Sequence, residues 1–306
     1  MTDKNRFRGV IPALITCFDS KGSFDEKRMR LVVRDLLAQN VQGLYLTGST
    51  GEAFLMTLEE RKRVVEVVAD ETAGRVPLIV HVGAISTRHS TELALHAKDV
   101  GVDAISSVPP FYWKFSEKEI FSYYETLCSS VDLPVVVYNV PLAGLMSLSF
   151  IEQLYKIPNV CGVKYTATTH YEIALLKNTL GPDFLVFSGC DEMAISGLLF
   201  GADGLIGSFY NLMPEVFLDI YRLQRQGDLQ AATRRQREAD LIILKALEYS
   251  YYAVIKLGMK WSGVDAGYCR APFTNYTDKE EMFLRQTFRL LRDTNRIVGV
   301  RFLDAL

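Results

Sequence analysis

The sequence predicts an α/β fold, a (β/α)8 TIM barrel with a C-terminal helical extension. Three observations carry that expectation: short apolar runs alternate with amphipathic stretches from the start of the chain, eight such runs fall before about residue 225, and strand signals stop beyond residue 226. Alternation of strand and helix is the pattern of parallel sheets. Eight units fit a closed barrel better than an open doubly wound sheet, which usually has fewer strands and a Gly-rich dinucleotide turn. Neither G-x-G-x-x-G nor G-x-x-x-x-G-K-[ST] follows the first strand.

The predicted strands are residues 9–14, 43–46, 77–82, 104–108, 134–138, 160–164, 184–187 and 204–207. A helix is expected over residues 25–39, and capping-box patterns open further helices at Thr57 with Glu60, Ser116 with Glu119, and Ser149 with Glu152. Residues 228–256 and 278–297 read as long helices joined by the Gly- and Pro-containing stretch 258–272. The expected division is a barrel over residues 1–225 and a helical region over 226–306 packed on it, since no linker separates the two.

A chain of 306 residues with 49% hydrophobic and 23% charged residues has the composition of a folded globular protein. A net charge of −2 supplies no field for drawing it onto nucleic acid or an acidic membrane. The five cysteines are scattered and include no C-x-x-C pair, which points away from disulfides and zinc and toward a cytoplasmic setting. The polar start, Met1 to Arg6, and the absence of any apolar run of bilayer length make export and membrane insertion unexpected.

In such a barrel the chemistry lies at the carboxyl ends of the strands. Lys164 closes the sixth apolar run. Partial desolvation disfavours the charged form of an amine, and a neutral amine attacks carbonyls. A lysine that reaches past the strand end to water or to an acid is the other reading. Strand five delivers Tyr138, a phenol able to move a proton or a core residue with a satisfied hydroxyl. After strand two, residues 47–52 (TGSTGE) offer glycines, hydroxyls and amides that either cradle a carboxylate or form a plain turn. Strand seven leads to Gly189, Asp191 and Glu192, carboxylates that cap a helix or bind hydroxyls, and strand eight to Ser208, where many barrels bind phosphate. With four histidines, of which only His81 sits on a strand, no metal-ligand set is visible, so metal-free covalent catalysis is preferred. No cofactor is called for.

Taken in order, Gly48-Ser49-Thr50-Gly51-Glu52, Tyr138-Asn139-Val140-Pro141, Gly162-Val163-Lys164 and residues 204–208 (GLIGS) resemble the N-acetylneuraminate lyase and dihydrodipicolinate synthase superfamily over nearly the whole chain. The resemblance implies a class I pyruvate-type aldolase, usually a homotetramer built as paired dimers. It makes Lys164 the Schiff-base lysine, Tyr138 the proton-moving tyrosine, and Ser49 with Thr50 the holders of the keto-acid carboxylate. Tyr112 resembles the tyrosine that some members lend across a dimer interface.

Within the family, synthases carry an arginine where this chain has Ala143. The lyase branch is instead matched by Gly189, Asp191 and Glu192, by Ser208, by Thr166, and by residues 51–54 (GEAF). Gly144 falls one position earlier than in lyases, a departure in that loop. The resemblance therefore implies cleavage of N-acetylneuraminate to pyruvate and N-acetylmannosamine, with small sugar-acid substrates as the only partners besides other copies of the chain. Another 2-keto-3-deoxy sugar-acid aldolase shares every catalytic residue. A barrel binding a phosphorylated ligand at the strand-eight loop, without covalent chemistry, is the alternative from another class.

Overall fold

The computed structural model describes residues 4–306; Met1 to Asp3, part of the polar start read above for export, lie outside the described residues. Eight parallel strands form one sheet: β1 (Gly9–Pro12), β2 (Leu44–Leu46), β3 (Leu78–His81), β4 (Ala104–Ser107), β5 (Val135–Asn139), β6 (Val160–Tyr165), β7 (Leu185–Ser188) and β8 (Gly204–Gly207). Each is followed by a helix: α1 (Glu26–Ala38), α2 (Leu58–Thr72), α3 (Thr87–Val100), α4 (Glu117–Ser130), α5 (Leu148–Leu154), α6 (Tyr171–Leu180), α7 (Ala194–Leu199) and α8 (Pro214–Arg225). This is the TIM barrel that the alternation predicts.

β1 pairs with β8, and the β1–β2 seam is closed by a parallel bridge from Ala13 to Tyr45. Across that seam Val10 N–H donates to Gln42 Oε1 at 2.7 Å, so a side-chain carbonyl stands in for a ladder carbonyl. Gly9 (φ +118°) makes room for it, because a Cβ there would lie 2.6 Å from Gln42 Oε1. Alternate residues face opposite ways along a strand. Ile11, Ile79, Ala104, Val136, Leu185 and Ile206 therefore fill the barrel, while Val10, Leu44, Val80, Val137, Val186 and Leu205 pack against the helices.

The helix starts follow local chemistry. Asp25 caps α1, and Thr57 with Glu60 and Ser116 with Glu119 form the predicted capping boxes. The expected box at Ser149 does not form: α5 begins two residues earlier, and Ser147 accepts from Phe150 N–H at 3.2 Å.

After the barrel come α9 (Leu229–Leu247), α10 (Tyr251–Trp261), α11 (Asp278–Asn295) and α12 (Arg301–Asp304). The single helix expected over 228–256 is thus two. It breaks at Tyr249 and Ser250, where Tyr276 Oη accepts Ser250 N–H at 2.7 Å and gives the turn an alternative to helical bonding. α10 then runs through Gly258, whose missing Cβ admits Leu212. These helices touch the mouth of the barrel directly. Tyr251 stacks on Phe209 after β8, and Gln236 of α9 donates to Asp191 O at 3.0 Å. No helix among the described residues is long and apolar enough to cross a membrane.

Candidate active site

The orientation of Lys164 depends on an irregularity in β6. Val135 pairs with Val160 but Val136 with Gly162, so β6 carries one extra residue, Cys161. A bulge of this kind re-aims the side chains beyond it. Cys161 joins the interior cluster, Val163 turns outward, and Lys164 falls beside Tyr138 of β5 and Phe187 of β7. Gly162 permits this because a Cβ there would strike the Leu185 carbonyl of β7.

Lys164 is 4% exposed. Its Nζ lies 3.9 Å from the Tyr138 ring centroid and 5.4 Å from that of Tyr45, and donates to Thr166 Oγ1 at 3.4 Å. Lys164 is thus a buried lysine and not an exposed one at the strand end, and among the described residues its hydrogen bond goes to a hydroxyl and not to a carboxylate. It sits against aromatic faces with one hydroxyl in reach.

Tyr138 is equally buried, and its ring meets Tyr45 and His81 edge-on at 6.1 and 6.0 Å. Tyr45 Oη donates to Ser106 Oγ at 3.1 Å. Burial, reinforced by neighbouring Tyr138, pushes the Tyr45 phenol well above its ordinary value of 10.0. His81 is held well below 6.5 by burial and then by the Arg61 guanidinium, so its imidazole is neutral. Val108 N–H donates to Nε2 at 3.3 Å, which leaves Nδ1–H to donate to Thr47 O at 3.1 Å. Composition had singled out neither Tyr45 nor His81 for the site. Their inward phase on β2 and β3 was the available signal.

The loop after β2 is tightly folded, with Thr47 (φ 50°) and Glu52 (φ 57°) in the left-handed region. Gly51 passes so close to the segment after β1 that a Cβ would lie 3.0 Å from Leu14 O, and its carbonyl accepts from Thr16 Oγ1 at 2.7 Å. Thr50 Oγ1 and Ser208 Oγ share a hydrogen bond of 2.7 Å, which brings the strand-two and strand-eight loops together. Ser49 faces a cavity of about 270 Å³ walled also by Phe54, Phe111, Ala143, Tyr252 and Phe273. Lys164 is not among its walls. Ala143, which lines the cavity, ends a short 3-10 turn that Gly144 (φ 87°) terminates.

Beyond β7 the two acids separate. Asp191 is buried and Glu192 exposed. Asp191 does not cap the helix that follows it; its Oδ2 accepts Phe209 N–H at 2.8 Å, and a Cβ at Gly207 would collide with its Oδ1. Its carboxyl thus secures the turn after β8. Burial first, with Glu192 adding, raises its pKa to about 7 against the opposing amides of Phe209 and Ser208 and the charge of Lys164. Gly189 lies under Thr166, whose hydroxyl occupies the place a Cβ would need. Among the sequence-selected residues, Lys164, Tyr138 and Thr166 come together, as do Thr50 with Ser208 and Thr166 with Gly189. Tyr112 does not join them. It is 84% exposed, left-handed (φ 84°), and packs edge-on against Trp113 at 4.9 Å.

Chemically, this is a buried amine against a tyrosine ring with one hydroxyl in reach, and an amine so placed can attack a carbonyl. The chain matches the dihydrodipicolinate synthetase family model over residues 6–290. It is 38% identical over 275 residues to an N-acetylneuraminate lyase of Clostridium perfringens, covering 89% of this chain and 95% of that one. Among solved structures it resembles the Clostridium difficile protein CdNal in complex with mannosamine, with TM-score 0.89, 36% identity, and 92% and 98% of the two chains covered. It likewise resembles the catalytic-lysine mutant of a Ruminococcus gnavus sialic acid aldolase, with TM-score 0.91, 31% identity, and 97% and 99% covered.

Proposed function

Since the chain belongs to the dihydrodipicolinate synthetase family, we propose that it is a class I aldolase that cleaves N-acetylneuraminate to pyruvate and N-acetylmannosamine. The observation that carries this is the Lys164 amine, buried against the Tyr138 ring with the Thr166 hydroxyl as its hydrogen-bond partner. Nζ attacks the C2 ketone of the open-chain substrate, and loss of water leaves a protonated imine. The C4 hydroxyl proton passes toward Tyr138. As it leaves, the C3–C4 pair flows into the imine, C4 becomes the aldehyde of N-acetylmannosamine, and an enamine remains. Protonation at C3 and addition of water return Lys164 and release pyruvate, so the water lost at the start is regained.

In this scheme Ser49 and Thr50 hold the substrate carboxylate. Thr166 stands near C4, and Gly189, Asp191, Glu192 and Ser208 face the polyol tail. Specificity follows from hydrogen bonds that shorter keto acids leave unmade. Ala143 at the cavity rim offers no cation for a second carboxylate, which disfavours synthase chemistry. The phosphate-binding alternative is opposed by Asp191, whose carboxyl already takes the amide of Phe209 that a phosphate would need.

We further infer, from the family resemblance, a homotetramer in which exposed Tyr112 lies across a subunit interface, and a helical region over 226–306 that braces the barrel over 1–225. The five buried cysteine thiols favour the cytoplasm. Coupled assay of pyruvate released from N-acetylneuraminate and from 2-keto-3-deoxy-aldonates tests the substrate assignment. Turnover of the first is expected, and turnover of only the second would replace it with the other aldolase.

A further inference from the structure

Glu52 is buried together with a lysine 204 residues away. Its side chain is 0% exposed and that of Lys256 2%, and Nζ donates to Glu52 Oε1 at 2.7 Å. The second oxygen, Oε2, accepts Arg270 N–H at 2.8 Å, while Lys256 also donates to Tyr268 O at 2.6 Å and sits 5.0 Å from the Phe18 ring centroid. Both oxygens of the Glu52 carboxylate are thus held from α10 and the segment after it, and that segment also takes the second hydrogen bond of Lys256.

That residue is left-handed, at a backbone cost that a glutamate does not bear without reinforcement. Glu52 N–H donates to Ser49 O at 3.0 Å, so the position of Glu52 fixes the turn carrying Ser49 and Thr50. The upstream end of the same turn is held by Thr47, whose carbonyl takes Nδ1–H of neutral His81. A buried ion pair adds little net stability over a well-packed apolar pair, but it fixes geometry. We propose that the Glu52–Lys256 pair is a positioning device for the carboxylate-holding loop, so that α10 sets how tightly the site grips a keto acid. The proposal rests on the aldolase assignment.

The test is borohydride trapping of pyruvate on the full chain, read as the pyruvate concentration giving half-maximal adduct. Variants are Glu52→Gln with Lys256→Met together, which leaves no bare charge, and Glu52→Asp, which keeps the charge but is one methylene too short to serve both partners. Loss of a charge-assisted grip predicts a half-saturating concentration raised about tenfold or more in both. Adduct yield at saturation should stay near that of the wild type. A purely structural role would instead lower the thermal midpoint and leave half-saturation unchanged. Half-saturation within about twofold of wild type in folded variants overturns the proposal, on the same scale of effects. Absence of adduct in the wild type overturns the aldolase assignment beneath it.

Discussion

Asp191 supplies a pH dependence whose sign and size follow from its burial. Its pKa is raised from 3.8 to about 7, chiefly because the carboxylate form is desolvated. A carboxyl with a raised folded pKa keeps its proton in the folded chain after the unfolded chain has lost it. Its neutral form therefore stabilises the fold fully below the unfolded value, and that contribution is lost as pH rises toward 7 and levels off above it. Between pH 5 and pH 7.5, linkage gives a loss of between about 2 and 3 kcal/mol as an upper bound. Asp191→Asn preserves an oxygen for Phe209 N–H and removes the titration. Urea unfolding at fixed protein concentration, at pH 5 and 7.5, should show the variant gaining stability relative to wild type at the higher pH. Equal pH dependence in the two proteins would refute both the buried neutral carboxyl and the account of how the turn after β8 is held.

Tyr138→Phe keeps the ring under Lys164 and removes the hydroxyl. Retro-aldol kcat should fall by about 10²- to 10⁴-fold while pyruvate is still trapped, and a kcat within tenfold of wild type would remove Tyr138 from proton transfer. Gly162→Ala drives a Cβ into the Leu185 carbonyl. Calorimetry should find the thermal midpoint lowered, with overpacking costing about 1–3 kcal/mol, and an unchanged midpoint would show that β6 and β7 have slack there. Thr166→Val removes the hydroxyl that Nζ reaches. Steady-state kinetics should show kcat on N-acetylneuraminate reduced about tenfold, the size of one hydrogen bond to a charged group, with the midpoint unmoved; unaltered kcat would confine Thr166 to packing.

The strands were legible because each is a short apolar run between turn residues, and Lys164 was legible because a cation at the end of such a run is conspicuous. Thr57 and Ser116 announced their helices through the glutamate three residues on, whereas the same pattern at Ser149 misplaced the start of α5, which Ser147 caps instead. The bulge at Cys161 was not readable, since pairing register belongs to two strands at once. Nor was the meeting of Glu52 with Lys256, or of Thr50 with Ser208, because closure of the barrel and the return of α10 bring together residues far apart in the chain. The break between α9 and α10 escaped because apolar periodicity continues through it, and the residue that stabilises the turn, Tyr276, lies 26 positions later.

The central claim is that the buried amine of Lys164 forms an imine with a keto acid. Reduction with borohydride in the presence of pyruvate, followed by peptide mass mapping, tests it most directly. The account predicts a single reduced pyruvate adduct on Lys164, absent without pyruvate and absent in Lys164→Met. An unmodified Lys164 in an intact, folded protein, or an adduct confined to other lysines, would contradict it.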